Sequence, residues 1–140
     1  MSLRVVVRAL MIAALVGVAM PTPAPAQTAG VREVTASPRS VIPLQTKLRY
    51  TTMIVLPEGE EILDVISGDK DFWVVSAAQN MAHVKPAKEG ASTNLNLVTG
   101  SGAVYSFLLT EKAGGTPDLK VYVNAEGTRP GASIRRGSDV

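Results

Sequence analysis

From Leu56 to Thr99 the chain alternates short apolar runs with turn residues: LPEGEEILDVISGDKDFWVVSAAQNMAHVKPAKEGASTNLNLVT. The apolar positions are largely β-branched or aromatic. They are broken by Pro57, Gly59, Gly68, Asn80, Pro86 and Gly90, as successive strands and hairpins require. No helix of ordinary length fits between those breakers.

Taken in order, the pattern predicts a strand opening at Ser40 with Val41 and Ile42 and broken at Pro43, since proline in a strand run argues for an edge or a bulge. Residues 44–56 read as one strong strand, followed by a turn at 57–60 with Pro57 and Gly59 in type II positions. A strand over 62–66, a turn over 67–71 carrying Gly68 and Asp69, and an apolar strand over 72–75 come next. Trp73 is expected in the core, where its indole N–H needs an acceptor. Gln79 and Asn80 turn the chain into residues 81–85, with Ala82 and Val84 on one face and Met81, His83 and Lys85 on the other. Regularity stops at Pro86, and residues 87–92 read as a surface loop. Residues 93–99 alternate, Leu95 and Leu97 in, Asn94 and Asn96 out. A Gly-Ser-Gly connection leads into residues 104–110, apolar on both faces and hence expected to be central, with Tyr105, Phe107 and Leu109 on one side. A last strand sets Leu119, Val121 and Val123 against Lys120, Tyr122 and Asn124. The expected fold is all-β, a single-domain antiparallel β-sandwich of about seven or eight short strands over residues 39–124.

The ends read differently. Arg4 and Arg8, an apolar stretch over residues 9–20 and Ala24-Pro25-Ala26 before Gln27 have the form of a signal peptide, residues 1–26. Those 12 residues fall short of the roughly 20 a spanning helix needs. Residues 27–38 read as a flexible leader and residues 125–140 as a disordered polar tail. The chain carries 14 basic and 12 acidic residues; cleavage would remove two basic ones and leave a formally neutral product. Its cations form no stripe, so nucleic acid is not an expected partner. The absence of cysteine excludes a disulfide framework, a thiolate metal site and a lipid-bearing N-terminal cysteine. An exported, periplasmic product without a membrane span is expected.

Candidate chemistry is sparse. His83 is the single histidine; it sits on an alternating strand with no G-x-S-x-G elbow and reads as structural. A zinc site would need an unusual set of carboxylates. Glu58, Glu60 and Glu61, and likewise Asp69 and Asp71, lie in turns where charges are ordinarily solvated, short of the apolar pocket a glycosidase acid needs. The Asp69-Lys70-Asp71 turn offers too few oxygens for calcium, and the glycine turns lack phosphate-loop spacing and lead into strands. No catalytic, cofactor-binding or metal-binding residue is assigned, and no enzyme activity is expected.

Read as an ordered series, LP-x-GE at residues 56–60 (Pro57, Gly59), Gly68-Asp69 with Trp73 nearby, Asn80, Val84-Lys85-Pro86, Thr93-Asn94-Leu95 and Tyr105-Ser106-Phe107 resemble the N-terminal domain of the TrbG/CagX family of type IV secretion and conjugal transfer proteins. The resemblance covers about residues 44–109. It implies a β-rich non-enzyme of the outer-membrane core complex, working through protein partners of a secretion channel and through self-association in a ring. Two features depart from the family: Gly100-Ser101-Gly102-Ala103 stand where basic residues are usual, and a polar tail stands where members continue into a second β domain. The implied role is therefore that of the N-terminal domain. The alternative is a stand-alone periplasmic module binding peptide or carbohydrate, which should line a groove with exposed aromatics.

Overall fold

The computed structural model describes residues 17–23 and 28–127; the rest of the expected signal peptide with its cleavage site, and the tail beyond residue 127, lie outside the described residues. Among the described residues nine strands form: β1 (Val31–Ala36), β2 (Val41–Thr46), β3 (Thr52–Val55), β4 (Ile62–Ser67), β5 (Trp73–Ala78), β6 (Met81–Pro86), β7 (Ser92–Thr99), β8 (Val104–Glu111) and β9 (Lys120–Ala125). They build a five-stranded sheet in the order β1-β9-β3-β6-β5 and a four-stranded sheet in the order β2-β8-β7-β4. Alternation sets what lies between them. Ile42, Leu44, Leu95, Leu97, Phe107 and Leu109 from one sheet meet Ile54, Trp73, Val84, Val121 and Val123 from the other, all buried. The fold is the all-β two-sheet sandwich that the pattern predicts.

Its wiring departs from expectation in three places. The sheets are mixed, because β1 and β3 both run parallel to β9 and β2 runs parallel to β8, while the other four pairings are antiparallel. Second, Val31–Ala36 is a strand, where a flexible leader was expected: Arg32, Val34 and Ala36 face inward against Val121 and Val123. An arginine in the inward phase had disguised the alternation. Third, residues 44–56 are not one strand. Leu44 belongs to β2, which continues through Pro43, and the chain turns at residues 47–50, where the Tyr50 N–H donates to the Lys47 carbonyl (3.1 Å). Pro43 occupies an edge, as expected, since β2 pairs only with β8.

The β8 strand is central, yet its second face is open. Val104 and Leu108 are 49% and 44% exposed, so apolar residues on both sides mark here an uncovered surface and not a doubly buried strand. Phe72, expected at the start of the apolar strand, precedes β5 and lies 39% exposed under Lys88, whose Nζ is 4.4 Å from the ring centroid. At the other end of the chain, Ala125 closes β9, where the polar tail was expected to begin.

Candidate functional site

The residues singled out from the sequence gather at the two ends of the sandwich. At one end β4 and β5 are joined through Gly68 and Asp69. The Gly68 N–H donates to the Asn94 carbonyl (3.2 Å), and a Cβ on Gly68 would lie 2.5 Å from Asn94 Oδ1 and 2.9 Å from Thr93 Oγ1. A side chain at this position would have to push the Asn94 and Thr93 side chains aside. Asp69 folds back, its Oδ1 accepting the N–H groups of Asp71 (2.9 Å) and Phe72 (3.2 Å). Trp73 then pairs with Pro86, both buried, and Lys85 stands exposed beside it. Leu95, Tyr105 and Phe107 are core residues.

At the opposite end, residues 57–60 turn as expected, closed by the Glu60 N–H on the Pro57 carbonyl (3.1 Å), with Gly59 (φ 86°) in the left-handed position but Pro57 at the first place of the turn and not the expected second. Asn80 locks that turn to the β5–β6 hairpin. Its Nδ2 donates to the Leu56 carbonyl (2.9 Å), and the Leu56 N–H donates to the Asn80 carbonyl (2.8 Å). Ser101 Oγ donates to the Glu60 carboxylate at 2.8 Å and 2.9 Å. Most motif positions are thus turn-builders and core, with Lys85 and Asn94 exposed on their strands; they do not converge on one reactive point.

Three charged residues that sequence reasoning passed over do structural chemistry. Arg32 on β1 grips Asp118 with two bonds, Nε to Oδ1 at 2.8 Å and Nη2 to Oδ2 at 3.0 Å. Asp118 Oδ2 also accepts the Gln45 N–H (2.9 Å), and Arg32 Nη2 donates to the Pro43 carbonyl, so one ion pair ties β1 of the larger sheet to β2 of the smaller. Glu111, 3% exposed, accepts the Leu48 N–H at Oε1 (3.2 Å) and the Gly90 N–H at Oε2 (2.7 Å), fastening two loops to the end of β8. A signal for it existed, because Glu111 continues the inward phase of Tyr105, Phe107 and Leu109.

Among the described residues no three His, Cys, Asp or Glu side chains gather as a metal would require. His83 is half-buried on the outer face of the larger sheet, between Met53 and Ser76 in the register. Tyr105 has its hydroxyl pKa raised by burial and secondarily by the Glu60 carboxylate. The indole Nε1 of Trp73 is buried without an acceptor, against the expectation that it would find one.

What the arrangement offers is surface. The outer face of the smaller sheet presents Val41, Ile66, Val104 and Leu108, between 44% and 62% exposed, with Asp64 its one acidic residue; Ser106 Oγ and Asn96 Oδ1 pair at its centre (2.7 Å). An open groove of about 580 Å³ runs past Ser37, Pro38, Gly102, Tyr105 and Glu126, and a second space of about 410 Å³ lies between β4 and β5. A search of curated proteins finds no match to this chain. The family model described as CagX, conjugal transfer protein, matches residues 29–133. That span takes in every strand from β1 to β9, where the motif series alone covered residues 44–109, and the chain belongs to the CagX family of conjugal transfer proteins.

Proposed function

We propose that this chain is a non-catalytic structural component of the outer-membrane core complex of a type IV secretion or conjugation machine, exported to the periplasm with its signal peptide (residues 1–26) removed. The family match across the whole sandwich carries this reading. The geometry supports it: the partly apolar outer face of the smaller sheet, with Asp64 its one acidic residue, and the free strand edges are contact surfaces, and most motif residues build turns and core instead of a reactive centre. Its partners are proteins of the secretion channel and further copies of itself in a ring, and it contributes what an N-terminal domain of the family contributes. A stand-alone sugar- or peptide-binding module asks for exposed aromatics in a groove; Trp73, Tyr105 and Phe107 are buried, and the exposed Tyr50 and Phe72 line neither the 580 Å³ groove nor the 410 Å³ space.

The test is co-purification. Expressed with the channel genes of its own machine, the tagged full chain should leave the membrane fraction in a large complex with a channel-forming partner. A chain that stays monomeric and alone under those conditions overturns the proposal. N-terminal sequencing of the exported product should begin near Gln27.

A further inference from the structure

Four strands have a free edge: β1 and β5 in the larger sheet, β2 and β4 in the smaller. Free edges template the addition of another strand unless something blocks them. β1 carries Arg32 and Glu33; β2 carries Pro43; β4 carries Asp64 and a break in register between Ile62 and Asp64. β5 is Trp73-Val74-Val75-Ser76-Ala77-Ala78, with no charge, no proline and no bulge.

Its open side can be read from the ladder. The Ala87 N–H donates to the Phe72 carbonyl (2.8 Å), and the antiparallel register from Trp73↔Pro86 to Ala78↔Met81 then puts the bonds to β6 at Val74, Ser76 and Ala78. The N–H and C=O groups of Trp73, Val75 and Ala77 face away from the sheet, repeating every ~6.8 Å. Beside them the sandwich is not closed. Ala77 is exposed although its partner Ala82 is fully buried, and the 410 Å³ space between β4 and β5 is lined by Val65, Ser67, Lys70, Trp73, Val74 and Val75. Trp73, whose Nε1 is the single buried side-chain donor lacking an acceptor among the described residues, is one of the residues of this lining.

We propose that the β5 edge and the adjoining space bind an extended segment of a partner protein, which adds as a strand to the five-stranded sheet and seats an apolar side chain between β4 and β5 with an acidic residue next to it. An extended backbone is what matches alternating donors and acceptors at that spacing. The Val65, Val74, Val75 and Trp73 walls select an apolar side chain, and Lys70, the cation of the lining, selects the acid, since Asp69 is turned back onto backbone N–H groups. A second copy of β5 fits less well: antiparallel to itself it brings tryptophan, valine and alanine in the inward phase, with neither an acid for Lys70 nor a side-chain acceptor for the indole. The inference rests on the reading that the chain works by protein contact and names the kind of contact.

A random octapeptide library displayed on phage is panned on the full chain, and recovered peptides are titrated while the emission of Trp73, the only tryptophan, is followed. Recovered sequences should alternate apolar and polar positions with an acid beside an apolar residue, and binding should shift Trp73 emission. Ala77→Pro, which removes an outward N–H, and Ser76→Lys, which adds a charge to the exposed face, should each weaken binding at least tenfold. N-methylation of alternate peptide residues should abolish it on the unaltered protein, whether or not the proline variant folds. Peptides that leave Trp73 emission unchanged, or bind equally well when N-methylated, overturn the proposal. So does a concentration-dependent dimer lost in Ser76→Lys, which would make the occupant a second copy. Because binding is read with isolated peptides, failure here leaves co-purification with the channel untouched, and the reverse holds too.

Discussion

At the scale of single residues, two buried polar groups carry weight that their neighbours cannot replace. Glu111 satisfies the N–H groups of Leu48 and Gly90 from a nearly inaccessible position. Glu111→Ala removes the acceptor of both; a buried donor without an acceptor costs roughly 1–3 kcal/mol, and here Leu48 is half-buried while Gly90 is exposed and can turn to water. The variant should lose about 1–3 kcal/mol of unfolding free energy in urea, and Glu111→Gln, which keeps one acceptor, should lose less. Tyr105 gives a pH signature of opposite sense to acid denaturation. Its hydroxyl pKa is raised above the ordinary 10.0 in the folded chain, first by burial and then by Glu60. The unfolded chain therefore releases that proton at lower pH than the folded one. The stabilisation is fully present below pH 10 and is lost as pH rises through the higher folded value. Thermal melts above pH 10 should fall more steeply for the wild type than for Tyr105→Phe.

Among the strands, those legible in the sequence are the ones whose turns announce themselves. β4 through β8 are bounded by Gly68, Asn80, Pro86, Gly90 and the 100–102 connection, and their inward positions are mostly aliphatic or aromatic at period two, Thr99 and Glu111 being the buried polar exceptions at strand ends. Hidden elements had ordinary residues in unusual conformations or charges in core positions. The β2–β3 connection turns at Arg49 with φ 70°, a left-handed conformation normally signalled by Gly or Asn, so nothing marked it as a turn. That makes it improvable. Arg49→Gly removes the Cβ penalty at the cost of some unfolded-state entropy and should gain about 0.5–1 kcal/mol, seen as a higher melting midpoint with unchanged far-UV spectrum. The candidate docking edge was hidden for another reason. Trp73-Val74-Val75-Ser76-Ala77-Ala78 reads locally like a strand destined for the middle of a sheet. Only the pairing order, which no local pattern contains, places it outermost with its hydrogen-bonding row open. The motif positions were legible as an ordered set because most of them build turns and core, which is also why they do not mark where a partner binds.

Over the whole molecule, the parallel pairings join the two ends of the chain. β9 lies between β1 and β3 in the larger sheet, pairing Lys120 with both Val31 and Met53, and its Val121 and Val123 are buried at the centre of the core. That sheet therefore cannot be completed until the last strand is present, and its contacts span most of the sequence, a topology that folds in milliseconds to seconds. The two terminal strands are not equivalent. β1 is an edge, so a chain lacking residues 28–37 loses the inward Val34 and Ala36 and the Arg32–Asp118 tie, roughly 3 kcal/mol in all, and should stay folded with a lowered urea midpoint. β9 is internal, so a chain ending at Leu119 splits the larger sheet, strands the inward face of β3 and leaves the Arg32 side of the sandwich uncovered. It should show no cooperative urea transition and no native tryptophan emission. A β9-deleted chain that still unfolded cooperatively would mean that the smaller sheet with β3, β5 and β6 is a self-sufficient core. The joining of the two chain ends through β9 would then be an addition to the fold and not its closure.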